Sequence, residues 1–89
     1  MAVLLSRLGQ LSPQARELAE MAATIGREFA FALLRAASDR DEPTLVRLLD
    51  ELWRRRIVRE HGADGYDFSH DRLREAAYGG ASQARRRRP

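Results

Sequence analysis

The chain has no cysteine, no lysine and no asparagine among its 89 residues. The lack of cysteine excludes disulfides, thiolate metal sites and cysteine nucleophiles. The lack of lysine excludes a phosphate-binding loop of the Walker type and a Schiff base, because each needs a lysine amine. One small domain is the most that this length builds. We therefore expect neither a nucleotide-hydrolysing core nor another enzyme.

Long apolar runs are also missing. No stretch approaches the roughly 20 apolar residues of a membrane span, and the opening Met1 to Leu5 lacks the basic flank of a signal peptide. The two histidines, His61 and His70, offer no metal-ligand spacing. The sequence predicts a cytoplasmic protein with no membrane contact and no metal.

The net charge of +3 is concentrated at one end of the chain. Residues 1 to 80 hold twelve arginines and thirteen acidic residues, and the run from Arg85 to Arg88 adds four positive charges. Such a run is more often a solvated helix face than a patch for nucleic acid or membrane. We expect a nearly neutral domain body.

Apolar spacing and capping residues predict the first two helices. A short helix ends at Gly9 and is predicted to have one apolar face, made of Val3, Leu4, Leu5 and Leu8. Ser12 with Pro13 then starts a longer helix. Gly26 closes the second helix because glycine tolerates a positive φ. Its inward stripe is predicted to comprise Ala15, Leu18, Ala19, Ala22 and Ile25.

Two further helices follow. The segment from Phe29 to Ala37 is predicted to be helical, with Phe29, Leu33, Leu34 and Ala37 buried. Asp41 is predicted to cap the next helix through its carboxylate, and Trp53 is expected at its edge. The inward positions of this helix are Leu45, Leu48, Leu49 and Leu52.

After Arg56 the apolar period changes from 3.6 to 2. Residues 57 to 60 are predicted as one strand, 61 to 65 as a turn and 66 to 68 as the returning strand. Within the second strand, Asp67 alternates with Tyr66 and Phe68. Without the short first helix, the order is three helices followed by a hairpin, which is the winged-helix order. The predicted fold is therefore mostly α with a small two-stranded wing.

Ser69 stands where the N-cap of a last helix belongs, and His70 is predicted in its first turn. This helix is expected to end near Tyr78, interrupted by Gly79 and Gly80. Its inward face is predicted to comprise Leu73, Ala76 and Ala77.

We divide the chain into a connector helix over residues 1–10, a winged-helix domain over 11–80 and a truncated start of a following helical segment over 81–89. The ends are expected to be fragment boundaries.

His70 is a candidate phosphate contact. The N–H groups of a first helical turn have no intrahelical partners, and the helix dipole is positive there. An imidazole and several donors would together face a bound anion. The alternative is that His70 caps or packs while Asp71 favours the dipole.

Three stretches carry a family resemblance: LSPQARELAEMAATIGREFAFALLRAAS, LVRLLDELWRRRIVRE and YDFSHDRLREAAY. They resemble the winged-helix domain that follows the ATPase core in STAND-type NTPases, the bacterial transcriptional regulators and the cyclase- or kinase-linked ATPases. The resemblance covers about residues 8 to 85. Its sharpest pieces are Gly26-Arg27-Glu28-Phe29, Leu52-Trp53-Arg54-Arg55-Arg56 and Phe68-Ser69-His70-Asp71.

The resemblance implies a regulatory role in signal transduction. In that family the histidine at the start of the last winged-helix helix reaches the phosphates of ADP, and His70 stands at the matching place. Ser69 replaces a methionine of the related Met-His-Asp motif, and Asp71 matches its aspartate. The implied partners are an ATPase core that holds ADP or ATP and the helical repeats that follow, with the closed inactive state stabilised through His70.

DNA binding is the alternative function, because arginine pairs with phosphates and guanine. Against it, Asp50 and Glu51 would repel a DNA backbone, and the wing carries Asp64. A protein-interaction module with neither ligand is a third possibility. The candidate DNA contacts are Arg47, Arg54, Arg55, Arg56 and Arg59.

Overall fold

The structure is a computed structural model that describes residues 2–87, with side chains described for residues 6–80. Over this range it is mostly helical, with one small antiparallel sheet. The helices are α1 (Ala2–Gly9), α2 (Pro13–Ile25), α3 (Phe31–Ala37), α4 (Glu42–Arg54) and α5 (Asp71–Arg87), and the strands are β1 (Glu28–Ala30), β2 (Val58–His61) and β3 (Gly65–Phe68).

Helix α2 begins as predicted. The Ser12 hydroxyl accepts a hydrogen bond from the Ala15 N–H at 3.2 Å, and Pro13 occupies the first helical turn. The Glu51 carboxylate of α4 then accepts from the Ser12 N–H at 2.8 Å and from its hydroxyl at 3.0 Å. The Glu51 side chain therefore joins the start of α2 to α4.

The inward faces of α2 and α4 form the centre of the core. The predicted leucines of α4 are all buried, and Trp53 lies at the edge with 51% of its surface exposed. On α2 the predicted stripe is buried except for Ile25, which is half-buried. The predicted carboxylate cap of α4 is wrong, because the Asp41 side chain makes no capping hydrogen bond. The buried set shared by α2 and α4 is Ala15, Leu18, Ala19, Ala22, Ala23, Leu45, Leu48, Leu49 and Leu52.

The sheet has three strands in the order β1-β3-β2, not the predicted two. β1 pairs Phe29 with Tyr66 of β3. The start of the segment 29–37, which was predicted to be helical, is therefore extended. The Phe29 ring stacks on Tyr66 at 6.1 Å and meets the Phe68 ring edge-on at 5.8 Å. Phe29 is therefore buried as expected, but in a strand.

Three burial predictions in this region are wrong. Leu33 is 53% exposed and Ala37 is exposed, because α3 begins at Phe31 and buries only Leu34. Asp67 is only 7% exposed although its face was expected to meet solvent. β3 is the central strand, and the Arg59 guanidinium covers the Asp67 carboxylate.

Helix α5 packs against α2 and runs without a break through Gly79 and Gly80 to Arg87. The predicted interruption is wrong, because glycine lowers helix stability by about 1 kcal/mol without ending a helix that packs against a neighbour. Leu73 and Ala77 are buried and Ala76 is partly buried, as predicted. The predicted apolar face of Val3, Leu4 and Leu5 and the side chains of the run Arg85 to Arg88 lie outside the described residues.

Candidate functional site

His70 occupies the N-cap of α5, one position before the predicted first turn, because the helix begins at Asp71. Its Nδ1 atom lies 3.5 Å from the Arg72 N–H and accepts this long hydrogen bond. The Leu73 N–H bonds to the His70 carbonyl at 3.1 Å, which is the first bond of the helix. A neutral imidazole that accepts at Nδ1 carries its proton on Nε2. Nε2 is then a hydrogen-bond donor on an exposed side chain.

Ser69 is not the N-cap. Its hydroxyl lies within hydrogen-bonding distance of the Arg56 and Ile57 carbonyl oxygens, and its N–H donates to the Ile57 carbonyl at 3.0 Å. The serine therefore fastens the start of α5 to the turn between α4 and β2. This connection places the end of one arginine-rich helix beside His70.

Arg56 ends α4 in a left-handed conformation, with φ at 61°. Its N–H bonds to the Trp53 carbonyl at 3.0 Å, and the Ile57 N–H bonds to the Leu52 carbonyl at 2.9 Å. These two bonds, with Ile57 and Leu52 both buried, define a Schellman motif. Glycine is the usual residue at this position, because a Cβ costs about 1–2 kcal/mol in the left-handed region. An arginine held here is a strained residue of the kind found at binding sites.

These elements enclose one open pocket of about 710 Å³, here called the basic pocket. Four of its side chains are guanidiniums, contributed by α1, α4, the α4–β2 turn and β2. No carboxylate is found among the described residues that line it. The lining comprises Arg7, Trp53, Arg54, Arg56, Val58, Arg59, Ser69 and His70.

Two of the four arginines in the basic pocket are paired with carboxylates that do not line the pocket. Arg54 lies 3.1 Å from Asp50, and Arg59 grips Asp67 through two hydrogen bonds of 3.3 and 3.1 Å. Arg7 and Arg56 make no side-chain ion pair or hydrogen bond with the part of the chain whose side chains are described. The pocket therefore holds uncompensated positive charge, and guanidinium groups bind phosphate oxygens in a bidentate manner.

The other predicted site residues lie elsewhere. Asp71 pairs with Arg27 at 3.2 Å and is not part of the pocket lining. Arg55 donates to the Gln10 side-chain oxygen at 3.4 Å, and Arg47 is exposed on α4. Of the five candidate DNA contacts, the structure thus brings together three, which are Arg54, Arg56 and Arg59.

Three lining residues were not predicted as site residues: Arg7, Trp53 and Val58. Arg7 belongs to α1, and no spacing signal relates it to His70 across most of the chain. Trp53 was expected only as an edge residue of α4. An aromatic residue before three arginines was the one available sign, because exposed tryptophan next to arginine is common at binding surfaces.

Among residues 6–80 no group of three or more histidine or acidic side chains could hold a metal ion. No helix in the described chain is both long enough and apolar enough to cross a membrane.

Comparison of the chain with protein-family models, with curated proteins and with solved structures gave no match. The resemblance to STAND-type winged helices therefore stays a prediction.

Proposed function

We propose that the chain is a regulatory winged-helix module of a STAND-type signalling ATPase, and that its basic pocket contacts the phosphates of ADP held by an adjoining ATPase core. One observation carries the proposal. His70, at the start of α5, lines a pocket with four arginines and no described carboxylate. In this role the chain contributes no catalytic group.

The element order supports the winged-helix assignment. Helices α2, α3 and α4 stand for its three-helix core, β2 and β3 for its wing, and α5 for the added last helix. His70 then sits at the junction of wing and last helix, where the resemblance places the phosphate contact.

The proposed contact follows from the chemistry of the basic pocket. The Nε2–H of His70 donates to a phosphate oxygen, while Arg7 and Arg56 supply guanidinium donors that no described carboxylate neutralises. The positive end of the α5 dipole adds to the positive potential. Contacts of this kind hold the module against the ADP-bound core and favour the closed state. A ligand that lacks them releases the module, because a ligand shifts an equilibrium only through its differential affinity.

A nuclear magnetic resonance titration of the labelled chain with ADP tests the phosphate contact. We expect ADP and pyrophosphate to shift the resonances of Arg56, Ser69 and His70, and adenosine to leave them in place. Replacing His70 with alanine removes one donor, so we expect affinity for ADP to fall by roughly five- to thirtyfold, the equivalent of about 1–2 kcal/mol. Arg35→Ala is the matched control, because Arg35 pairs with Glu42 and does not line the pocket.

The switch itself is tested in the polypeptide that joins this module to an ATPase core. We expect His70→Ala to lower ADP retention after gel filtration. Retention equal to that of the unmodified protein would contradict the switch, and ADP shifts that map away from the basic pocket would contradict the phosphate contact.

DNA binding is the second candidate function, because Arg54, Arg56 and Arg59 meet beside α4. The pairing of Arg54 with Asp50 and the exposed Glu60 and Asp64 on the hairpin oppose it. Titration of the chain with a labelled mixed-sequence duplex at low and moderate salt separates the two functions. Micromolar, salt-sensitive binding that is lost in Arg54→Ala and Arg55→Ala would favour DNA.

A further inference from the structure

A second concave surface also includes Trp53 and lies between α4 and the hairpin. This acidic groove has a volume of about 340 Å³. It contains two carboxylates, and no cationic side chain is found among the described residues that line it, in contrast to the basic pocket. Its lining comprises Val46, Leu49, Asp50, Trp53, Glu60 and Tyr66.

The wall that α4 contributes to the acidic groove is apolar and uncovered. Val46 and Trp53 lie on the same face of α4 and are 50% and 51% exposed. Tyr66 of the central strand is only half-buried against the core. A single exposed apolar residue is ordinary, but adjoining ones in a concave surface are typical of a binding site.

The electrostatic potential of the acidic groove is expected to be negative, because its described lining carries carboxylates and no cation. Glu60 makes no ion pair or side-chain hydrogen bond with the residues whose side chains are described, and Asp50 shares its charge with Arg54. The pKa of Tyr66 is raised, first by burial and then by the charges of Glu60 and Asp50. Both carboxylates line the same concavity as Tyr66.

The negative surface continues past the groove. A neighbouring concavity of about 420 Å³ shares Glu60 and Tyr66 and extends to Phe31 and Asp64. Its described lining again includes carboxylates and aromatic rings but no cation. The two concavities together present an apolar track with acids along it.

We propose that the acidic groove is a docking site for a cationic amphipathic segment of a partner protein. Apolar side chains of the segment pack on Val46 and Trp53. Its arginines or lysines pair with Glu60 and Asp50 in the groove and with Asp64 farther along. Charge complementarity selects this occupant, because an acidic segment would meet uncompensated like charges and a purely apolar one would bury Glu60 without a partner. The argument for this docking site does not depend on phosphate binding in the basic pocket.

A matched pair of synthetic peptides tests the proposal. One alternates leucine with arginine, and the other has glutamate at every arginine position. Trp53 is the only tryptophan of the chain, so its fluorescence reports binding directly. We expect the cationic peptide to change that fluorescence at moderate salt and to shift the amide resonances of Val46, Glu60 and Tyr66, and we expect the acidic peptide to do neither.

Variants of the chain locate the contact. We expect Glu60→Gln combined with Asp50→Asn to weaken the cationic peptide by about fivefold or more, because each rim ion pair contributes modestly. Val46→Ser should weaken it without unfolding the domain, since Val46 is half exposed. Glu75→Gln is the control, because this exposed acid on α5 lines neither concavity.

Three results would overturn the proposal. One is equal binding of the two peptides, and another is peptide affinity unchanged in the Glu60 and Asp50 variant. The third is self-association of the chain that Glu60→Gln abolishes, which would assign the groove to a second copy. Failure here is distinguishable from failure of phosphate binding, because His70→Ala alters ADP binding and is expected to leave the peptide unaffected.

Discussion

Arg56 combines a strained backbone with a guanidinium that has no ion-pair partner among residues 6–80. Its left-handed φ of 61° stands where glycine is favoured, and its guanidinium lines the basic pocket beside His70. A residue chosen for helix termination alone would be glycine. The proposed phosphate contact would account for an arginine at this position, at a cost in stability.

Replacing Arg56 with glycine should separate these two effects. We expect Arg56→Gly to raise the free energy of unfolding by about 0.5–1 kcal/mol, because the left-handed strain is removed while glycine adds entropy to the unfolded chain. Affinity for ADP should fall at the same time. Urea unfolding and the ADP titration measure the two quantities.

Arg56→Ala is the matched variant, because it loses the guanidinium but keeps a Cβ. It should lose ADP affinity equally and gain no stability. A destabilised Arg56→Gly protein would show that the side chain holds the turn together and would refute this account of the strain.

At the scale of the elements, the main connection is the one between α2 and α4. The Glu51 carboxylate receives both the N–H and the hydroxyl of Ser12, the residue that caps α2. A helix start otherwise leaves several N–H groups without partners. Glu51 therefore extends the cap of one helix from a neighbouring helix.

Truncating Glu51 should destabilise the domain through the start of α2. We expect Glu51→Ala to lower the free energy of unfolding by about 1–3 kcal/mol, because it leaves part-buried donors of Ser12 unsatisfied. Urea unfolding followed by circular dichroism measures the change. Glu75→Ala, at an exposed position, should stay within about 0.5 kcal/mol of the parent. Equal effects of the two variants would show that the Ser12 contact is not important for stability.

The capping residues and apolar spacing of the sequence predicted those elements that depend on neighbouring residues of the chain alone. The start of α2 at Ser12 and Pro13 and the leucine face of α4 were predicted because capping and period-3.6 spacing act within a few residues. β1 was not predicted, since three residues carry no period and Phe29 is extended only because β3 lies beside it. The burial of Asp67 was not predicted for the same reason. A third strand makes β3 central, and the Asp67 side chain is therefore buried.

The candidate site was predictable only in part. His70 and the arginines after Trp53 were found from spacing and charge. The participation of Arg7 depends on how α1 packs, and the role of Ser69 depends on carbonyls of a turn twelve residues away, so neither has a local signal.

For the whole molecule, the lack of lysine simplifies its behaviour in alkali. Arginine stays charged throughout the accessible range, so tyrosine is the side-chain type that ordinarily titrates near pH 10 in a chain without lysine. Burial, followed by the charges of Glu60 and Asp50, raises the pKa of Tyr66 above its ordinary value of 10.0. The folded state therefore holds the Tyr66 proton more tightly than the unfolded chain does.

This difference should make the domain less stable as alkalinity increases. The stabilisation is complete below pH 10 and is lost as the pH rises through the folded-state pKa, because the native state binds the extra proton. We expect Tyr66→Phe to flatten the fall in unfolding free energy above pH 10. In a Tyr78→Phe background, the tyrosinate absorbance of Tyr66 should have its midpoint above 10. A midpoint at or below 10 would contradict the burial of this hydroxyl.

Trp53 forms a wall of both the basic pocket and the acidic groove. Two ligands of opposite charge would thus both contact a single indole side chain. If occupation of one site changes the position of the ring, the affinity of the other site changes by a definite factor, and thermodynamic reciprocity requires the same factor in return. One exposed aromatic side chain would then let a phosphate ligand and a cationic partner regulate each other within a domain of 89 residues.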